Sequence, residues 1–150
     1  AQAFGANTIV NYKEGPIAEQ ILKLTNGEGV DRVIIAGGTT KTLGQAIEMV
    51  KPGGIVSTVN YYSGADYLEI PREAWGAGMA HKQIRGGLTP GGRLRMEQLL
   101  DMVESGRLRI AELVTHVFHG MEHLPEALEL MHDKPKDLIK PVVLIDEAAK

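Results

Sequence analysis

Val33-Ile34-Ile35-Ala36 is an apolar run without polar alternation that stops abruptly at Gly37-Gly38, and no other stretch narrows the fold as much. A strand with one wet face alternates in polarity, whereas an unbroken run is the pattern of a parallel strand covered on both faces. Parallel strands need crossovers, and the neighbouring sequence supplies them. After the glycine pair, Thr39 or Thr40 is placed to cap a helix whose apolar stripe is Leu43, Ala46, Ile47 and Val50. Lys51-Pro52-Gly53-Gly54 then ends that helix with a cation and three breakers, and Ile55–Val59 reads as the next strand. Upstream, Thr8-Ile9-Val10-Asn11 is a short β-branched run. Gly15-Pro16 follows, opening a segment with Ile17, Ile21 and Leu24 at helical spacing that Gly27 and Gly29 close. Strand, helix, strand, helix, strand at this spacing describes successive parallel crossovers, so the class is α/β with a doubly wound parallel sheet.

The glycines, 18 in 150 residues, continue to punctuate the remainder. Residues 61–80 are irregular, with Tyr61, Tyr62, Tyr67 and Trp75 among glycines and Pro71, and with room for one short helix near 72–77. Lys82–Gly86 reads as a short strand. Beyond the Gly86-Gly87 and Gly91-Gly92 turns, Leu94, Leu99, Leu100 and Val103 mark a helix ending at Gly106. Leu113–Phe118 follows as a strand, Met121–Met131 as a helix with Pro125 tolerated in its first turn, and Pro141–Ile145 as a last strand.

Composition excludes several classes of function. With 43% hydrophobic and 23% charged residues, the chain can build a core, so extensive disorder is ruled out. The absence of cysteine removes disulfides, thiolate metal sites and cysteine nucleophiles. A net charge of −3 lacks the basic field that drives nucleic-acid binding, although 81–110 is locally positive through Lys82, Arg85, Arg93, Arg95, Arg107 and Arg109. No apolar stretch approaches the ~20 residues of a membrane span. Ala1–Gly5 carries neither a basic region nor an apolar run, so no secretory signal is expected.

In a parallel α/β sheet, ligands lie beyond the carboxyl ends of the strands, which directs attention to Ala36-Gly37-Gly38 and Asn60-Tyr61. The glycine pair is either a tight turn needing positive φ or a place where backbone approaches a ligand closely, and Asn60 offers both a donor and an acceptor. No strand-linked G-x-G-x-x-G occurs. Gly86–Gly92 lacks the Lys-Ser/Thr ending of a phosphate loop and reads as a turn. Of the five histidines, His116 falls in a strand and His119 in the following turn, so with His123 they are expected to be surface or capping residues rather than a metal site. No nucleophile elbow surrounds Ser57, Ser63 or Ser105.

Taken together, Asn11-Tyr12-Lys13-Glu14-Gly15-Pro16, Ile34-Ile35-Ala36-Gly37-Gly38, Val50-Lys51-Pro52-Gly53-Gly54 and Val59-Asn60-Tyr61 form a series. It continues through Trp75-Gly76-Ala77-Gly78-Met79-Ala80-His81-Lys82, Gly91-Gly92-Arg93-Leu94-Arg95-Met96 and Asp133-Lys134-Pro135-Lys136-Asp137. This series resembles the NADP-dependent, zinc-containing secondary alcohol dehydrogenases of the medium-chain dehydrogenase/reductase superfamily, nearly end to end and in the same order. The resemblance implies that the chain is the C-terminal part of such an enzyme. Residues 1–88 would then be the second half of a Rossmann-type NADP-binding domain, and 89–150 a segment returning to a catalytic domain that lies outside this chain.

Carried over by residue, the resemblance places Tyr12 near the adenosine 2′-phosphate and lines the dinucleotide with Ala36, Gly37 and Gly38. It brings Val59, Asn60 and Tyr61 to the nicotinamide end and gives a cofactor phosphate to Lys134. Tyr61, Met79 and Leu88 would border a small apolar substrate pocket, Met79 coming from a neighbouring subunit of a cytoplasmic homotetramer; beside Leu88 this chain carries Thr89. Zinc would be held by ligands outside these residues, acting as a Lewis acid while the nicotinamide accepts hydride from a secondary alcohol. No residue here is expected to ligate metal or transfer a proton, and the isolated chain is expected to be inactive. Neither a nucleic acid nor a membrane is an expected partner. Two other readings share the fold pattern: a metal-free medium-chain reductase of quinones or enones, and a non-catalytic nucleotide-binding module.

Overall fold

The computed structural model describes residues 1–88 and 90–145. The chain divides into two compact units, Ala1–Thr89 and Pro90–Lys150. In the first, the α-helix α1 (Ile17–Leu24) precedes strand β1 (Val30–Ile35), helix α2 (Thr42–Met49), strand β2 (Val50–Thr58) and strand β3 (Gln83–Gly86). The three strands form one sheet in the order β1-β2-β3, and both pairings are parallel. The chain is α/β, as its apolar periodicity requires.

Register explains where the core sits. Val33 is opposite Val56, and Val56 is opposite Ile84, while Ile35 is opposite Thr58. Because successive side chains point to opposite faces, Val33, Ile35 and Val56 share one side of the sheet. That side meets the α2 stripe, so Ile35, Leu43, Ala46, Ile47, Val50 and Val56 form the buried cluster, with Val33, Leu68, Ala74 and Trp75 packed against it. Helix α1 lies beside α2. The other sheet face is a correction to the sequence reading. Ile34, which the unbroken apolar run leads us to expect under cover, is 76% exposed, because the α2 residues of the buried cluster meet the opposite face, that of Ile35 and Val56.

Residues 51–54 also differ from expectation. The sequence makes Val50 part of the helical stripe and Lys51–Gly54 its terminator, but Val50 is already extended and β2 begins there. Val30 pairs with Val50 and Arg32 with Ile55, so Lys51–Gly54 form a bulge between the Val30–Val50 pair and the regular ladder that follows. Glycine is required at the base of that bulge: a Cβ on Gly54 would lie 2.9 Å from the Asp31 carbonyl oxygen. Thr8–Asn11 is not a strand. Its β-branched residues are extended-prone, but a strand needs a ladder partner, and none is paired with it among the described residues. The segment 72–77 forms successive turns, Trp75 N–H donating to Pro71 O at 2.9 Å and Ala77 N–H to Arg72 O at 2.9 Å, before a 3-10 turn at Gly76–Gly78.

The second unit contains helix α3 (Arg93–Glu104), strand β4 (Val114–His119), helix α4 (Leu124–Asp133) and strand β5 (Lys140–Leu144). Strands β4 and β5 pair in parallel, and α4 packs on β5. Pro125 occupies the first turn of α4, where its missing N–H has no partner to lose. Helix α3 forms where the Leu94 to Val103 spacing indicates, yet none of its residues is buried. Among the described residues no helix is long and apolar enough to cross a membrane.

Candidate functional site

The carboxyl ends of β1, β2 and β3 open onto two neighbouring cavities. The larger, of about 390 Å³, is walled by Thr58–Tyr62 at and beyond the end of β2, by Gly86–Leu88 at the end of β3, and by Leu43, Leu68 and Ile84. The smaller, of about 240 Å³, lies against Gly38–Thr40 and is closed by Tyr61–Gly64. Tyr61 and Tyr62 line both. One cavity is mainly apolar and the other is rich in hydroxyls, which suits an amphiphilic ligand laid across the tyrosine pair.

Asn60 is the conspicuous group. Its side-chain Nδ2 is buried and has no hydrogen-bond partner. Its backbone N–H donates to Thr58 Oγ1 at 3.2 Å, and the same hydroxyl is 3.1 Å from the Tyr62 phenol. An unpaired buried amide costs about 1–3 kcal/mol, so the arrangement is intelligible if a ligand supplies the acceptor. The Thr58–Tyr62 pair was not foreseen. Its only trace in the sequence is two hydroxyl side chains four apart, one at the end of a strand and one in a loop, where no periodicity brings them together.

A larger hollow of about 730 Å³ surrounds the β2 bulge at the amino ends of β1 and β2. Size does not make it the better candidate. Two of its charged lining residues satisfy each other in the Asp31–Lys51 ion pair, which holds the Asp31 carboxyl below and the Lys51 ammonium above their usual ranges. It also lies at the end of the sheet away from the crevice where α/β ligands bind.

The structure gathers Val59, Asn60, Tyr61 and Leu88 around the larger cavity, and Gly38 with Tyr61 around the smaller. Leu88 is 98% exposed despite lining a wall. Val59 lies just past β2, held by its N–H on Ile35 O at 3.1 Å. Gly37 and Gly38 have φ of 127° and 110°, so the turn does need glycine, and the missing Cβ of Gly37 would face open space. Ala36 is exposed beside them. Tyr12, Ala36, Gly37 and Met79 line neither cavity. Tyr12 sits on a 3-10 turn, Tyr12–Glu14, and its side chain is 71% exposed. Met79 follows the Gly76–Gly78 turn and is exposed. Lys134 belongs to the second unit, ending α4 in the left-handed region at φ 48°. Thr89 lies outside the described residues.

Helix α2 is capped at Lys41 rather than at Thr39 or Thr40, although Thr39 N–H donates to Thr42 Oγ1 at 2.9 Å in the preceding turn. Lys82 Nζ donates to Ile47 O at 2.8 Å near the helix C-terminus, and partial burial lowers its pKa. In the second unit His119 ends β4 instead of lying in the turn, because the Phe118–Val143 and His119–Leu144 pairings extend the ladder. His116 is 3.9 Å from Asp137, and His123 is 3.1 Å from Glu126 and stacks with Phe118. Among the described residues no group of three or more His, Asp or Glu could hold a metal.

Residues 1–105 match the family model described as zinc-binding dehydrogenase. The chain is similar to an NADP-dependent isopropanol dehydrogenase of Clostridium beijerinckii, 61% identical over 97% of this chain and 41% of the relative. It is also similar to one of Thermoanaerobacter brockii, 55% identical over the same shares. Among solved structures, an alcohol dehydrogenase of Thermus sp. ATN1 aligns at a TM-score of 0.77 and 29% identity over 91% of this chain and 38% of that one. A 2R,3R-butanediol dehydrogenase of Bacillus subtilis aligns at 0.77 and 21% over 97% and 40%, a likeness of fold. The chain thus spans about 41% of the length of the curated relatives it matches.

Proposed function

The chain belongs to the zinc-binding dehydrogenase family, and from that premise we propose that it is the nucleotide-binding and C-terminal portion of an NADP-dependent dehydrogenase of secondary alcohols and ketones. The names of its relatives support this reading over a metal-free reductase or a non-catalytic module. The observation that carries it is the buried, unpaired Asn60 Nδ2 at the mouth of the β-strands. NADP fits that site chemically: the nicotinamide carboxamide offers an acceptor, and the adjoining hydroxyl-lined cavity suits a ribose.

Bound here, the oxidised cofactor would supply a hydride acceptor for the carbinol carbon and its reduced form a hydride donor for the ketone, with the hydroxyl proton exchanged separately. The residues of this chain bind and orient. Asn60 donates to the nicotinamide end, with Val59 and Tyr61 beside it, while Ala36, Gly37 and Gly38 let the backbone approach the dinucleotide. Tyr12 donates its phenol to the 2′-phosphate, and Lys134 carries charge to a cofactor phosphate. Tyr61, Met79 and Leu88 border the alcohol, Met79 reaching the pocket of a neighbouring subunit in a cytoplasmic homotetramer. Residues 1–88 complete the coenzyme domain, and 89–150 return to the catalytic domain. The described residues do not provide a ligand set for zinc.

Replacing Asn60 separates binding from folding. In Asn60→Leu the ligand-free protein is expected to keep or raise its thermal midpoint, because an unsatisfied buried donor has gone, while NADP affinity measured by calorimetry falls roughly tenfold. An unchanged NADP affinity would remove the central support for this assignment.

A further inference from the structure

The exposed ring of Tyr12 takes its position from the backbone of its turn. That backbone is held at both ends by one side chain. Gln20, half-buried on α1, donates through Nε2 to Asn11 O at 3.0 Å and to Gly15 O at 3.0 Å, the two carbonyls that bracket Tyr12–Glu14. An amide NH₂ has two hydrogens to give, and both are used. The turn is closed from within as well: Asn11 Oδ1 accepts from Lys13 N–H at 3.0 Å, and Asn11 Nδ2 donates to Glu14 Oε1 at 2.9 Å. Gly15, at φ 136°, then lets the chain reverse into Pro16 and α1. Gln20 is therefore the side chain that ties this self-closed turn to the helix.

We infer that Gln20 is a positioning residue for nucleotide choice, clamping the Asn11–Gly15 turn so that the Tyr12 phenol meets a 2′-phosphate in one fixed place. The inference rests on the reading of Tyr12 given above. Its physical content is preorganisation: with the clamp, the turn need not be ordered when the phosphate arrives, and ligands lacking that phosphate gain nothing from it. Methionine at position 20 keeps the length of glutamine and loses both donors.

The test is calorimetric titration of the whole protein with adenosine 2′,5′-bisphosphate and with adenosine 5′-monophosphate, in Gln20→Met, Tyr12→Phe and the double variant. Gln20→Met is expected to weaken the bisphosphate roughly tenfold, to leave the monophosphate unchanged, and to add little once Tyr12 has lost its hydroxyl. Equal weakening of both nucleotides would mean a merely structural role and would overturn the inference, as would no weakening of either. If Tyr12→Phe leaves the bisphosphate preference intact, the reading of Tyr12 fails and takes the clamp with it. If Tyr12→Phe lowers that preference and Gln20→Met does not, the clamp alone is wrong.

Discussion

Single residues differ here chiefly in whether their polar groups are paired within the chain. Asn60 keeps a buried donor without an acceptor, while Asp31 and Lys51 satisfy each other in the open. The second pair has a pH signature. Lys51 lowers the folded pKa of Asp31 below 3.8, so its contribution is fully present above that unfolded value and is lost as pH falls through the lower folded one. The difference in urea midpoint between the native chain and Asp31→Asn is expected to be small, since both groups are exposed, and to vanish on acidification through the carboxylate range. A difference that grows on acidification would contradict the pairing. At this scale the sequence makes legible that Gly38 and Asn60 follow strands, and both line a cavity at the strand ends, whereas Gly37 beside them does not. The empty valence of Asn60 is not legible there, because it depends on what fails to approach the amide in space.

Elements were legible where side chains bury and misleading where they do not. Helix α2 reveals itself through Leu43, Ala46 and Ile47, all of which enter the core. Thr8–Asn11 has the composition of a strand without a ladder, and composition cannot supply a partner. Helix α3 follows its apolar spacing although Leu94 remains 70% exposed. The two helices should therefore respond differently to the same kind of change. Ile47→Ala removes a side chain that is 0% exposed and is expected to cost about 3 kcal/mol in denaturant titrations. Leu94→Ser in the isolated chain should fall within about 0.5 kcal/mol of the parent. Comparable losses at both positions would show that α3 has found cover.

At the scale of the molecule, burial is concentrated in the first unit: of the buried apolar residues described, only Ala127 lies in the second. Hydrogen exchange on the isolated 150 residues is expected to find its slowest amides in β1, α2 and β2, with α3 exchanging fast, because a helix of that length with no buried face is marginal on its own. Protection of α3 equal to that of α2 would refute this. Secondary-alcohol turnover by the same isolated chain is expected to be nil, and measurable turnover would refute the assignment of the remaining chemistry to segments beyond it. The bulge at Lys51–Gly54 bears on how such a chain tolerates changes in length. A change of length at Lys51–Pro52 is expected to be taken up within the bulge, leaving Val56 opposite Val33 and Asn60 at the mouth of the sheet, whereas Gly53, whose N–H donates to Ala80 O at 2.8 Å, and Gly54, packed against Asp31 O, hold its far side. One residue gained or lost between Ile55 and Thr58 would instead turn the inner face of β2 outward and carry Asn60 away from the crevice, so β2 has one end that can vary in length and one that cannot.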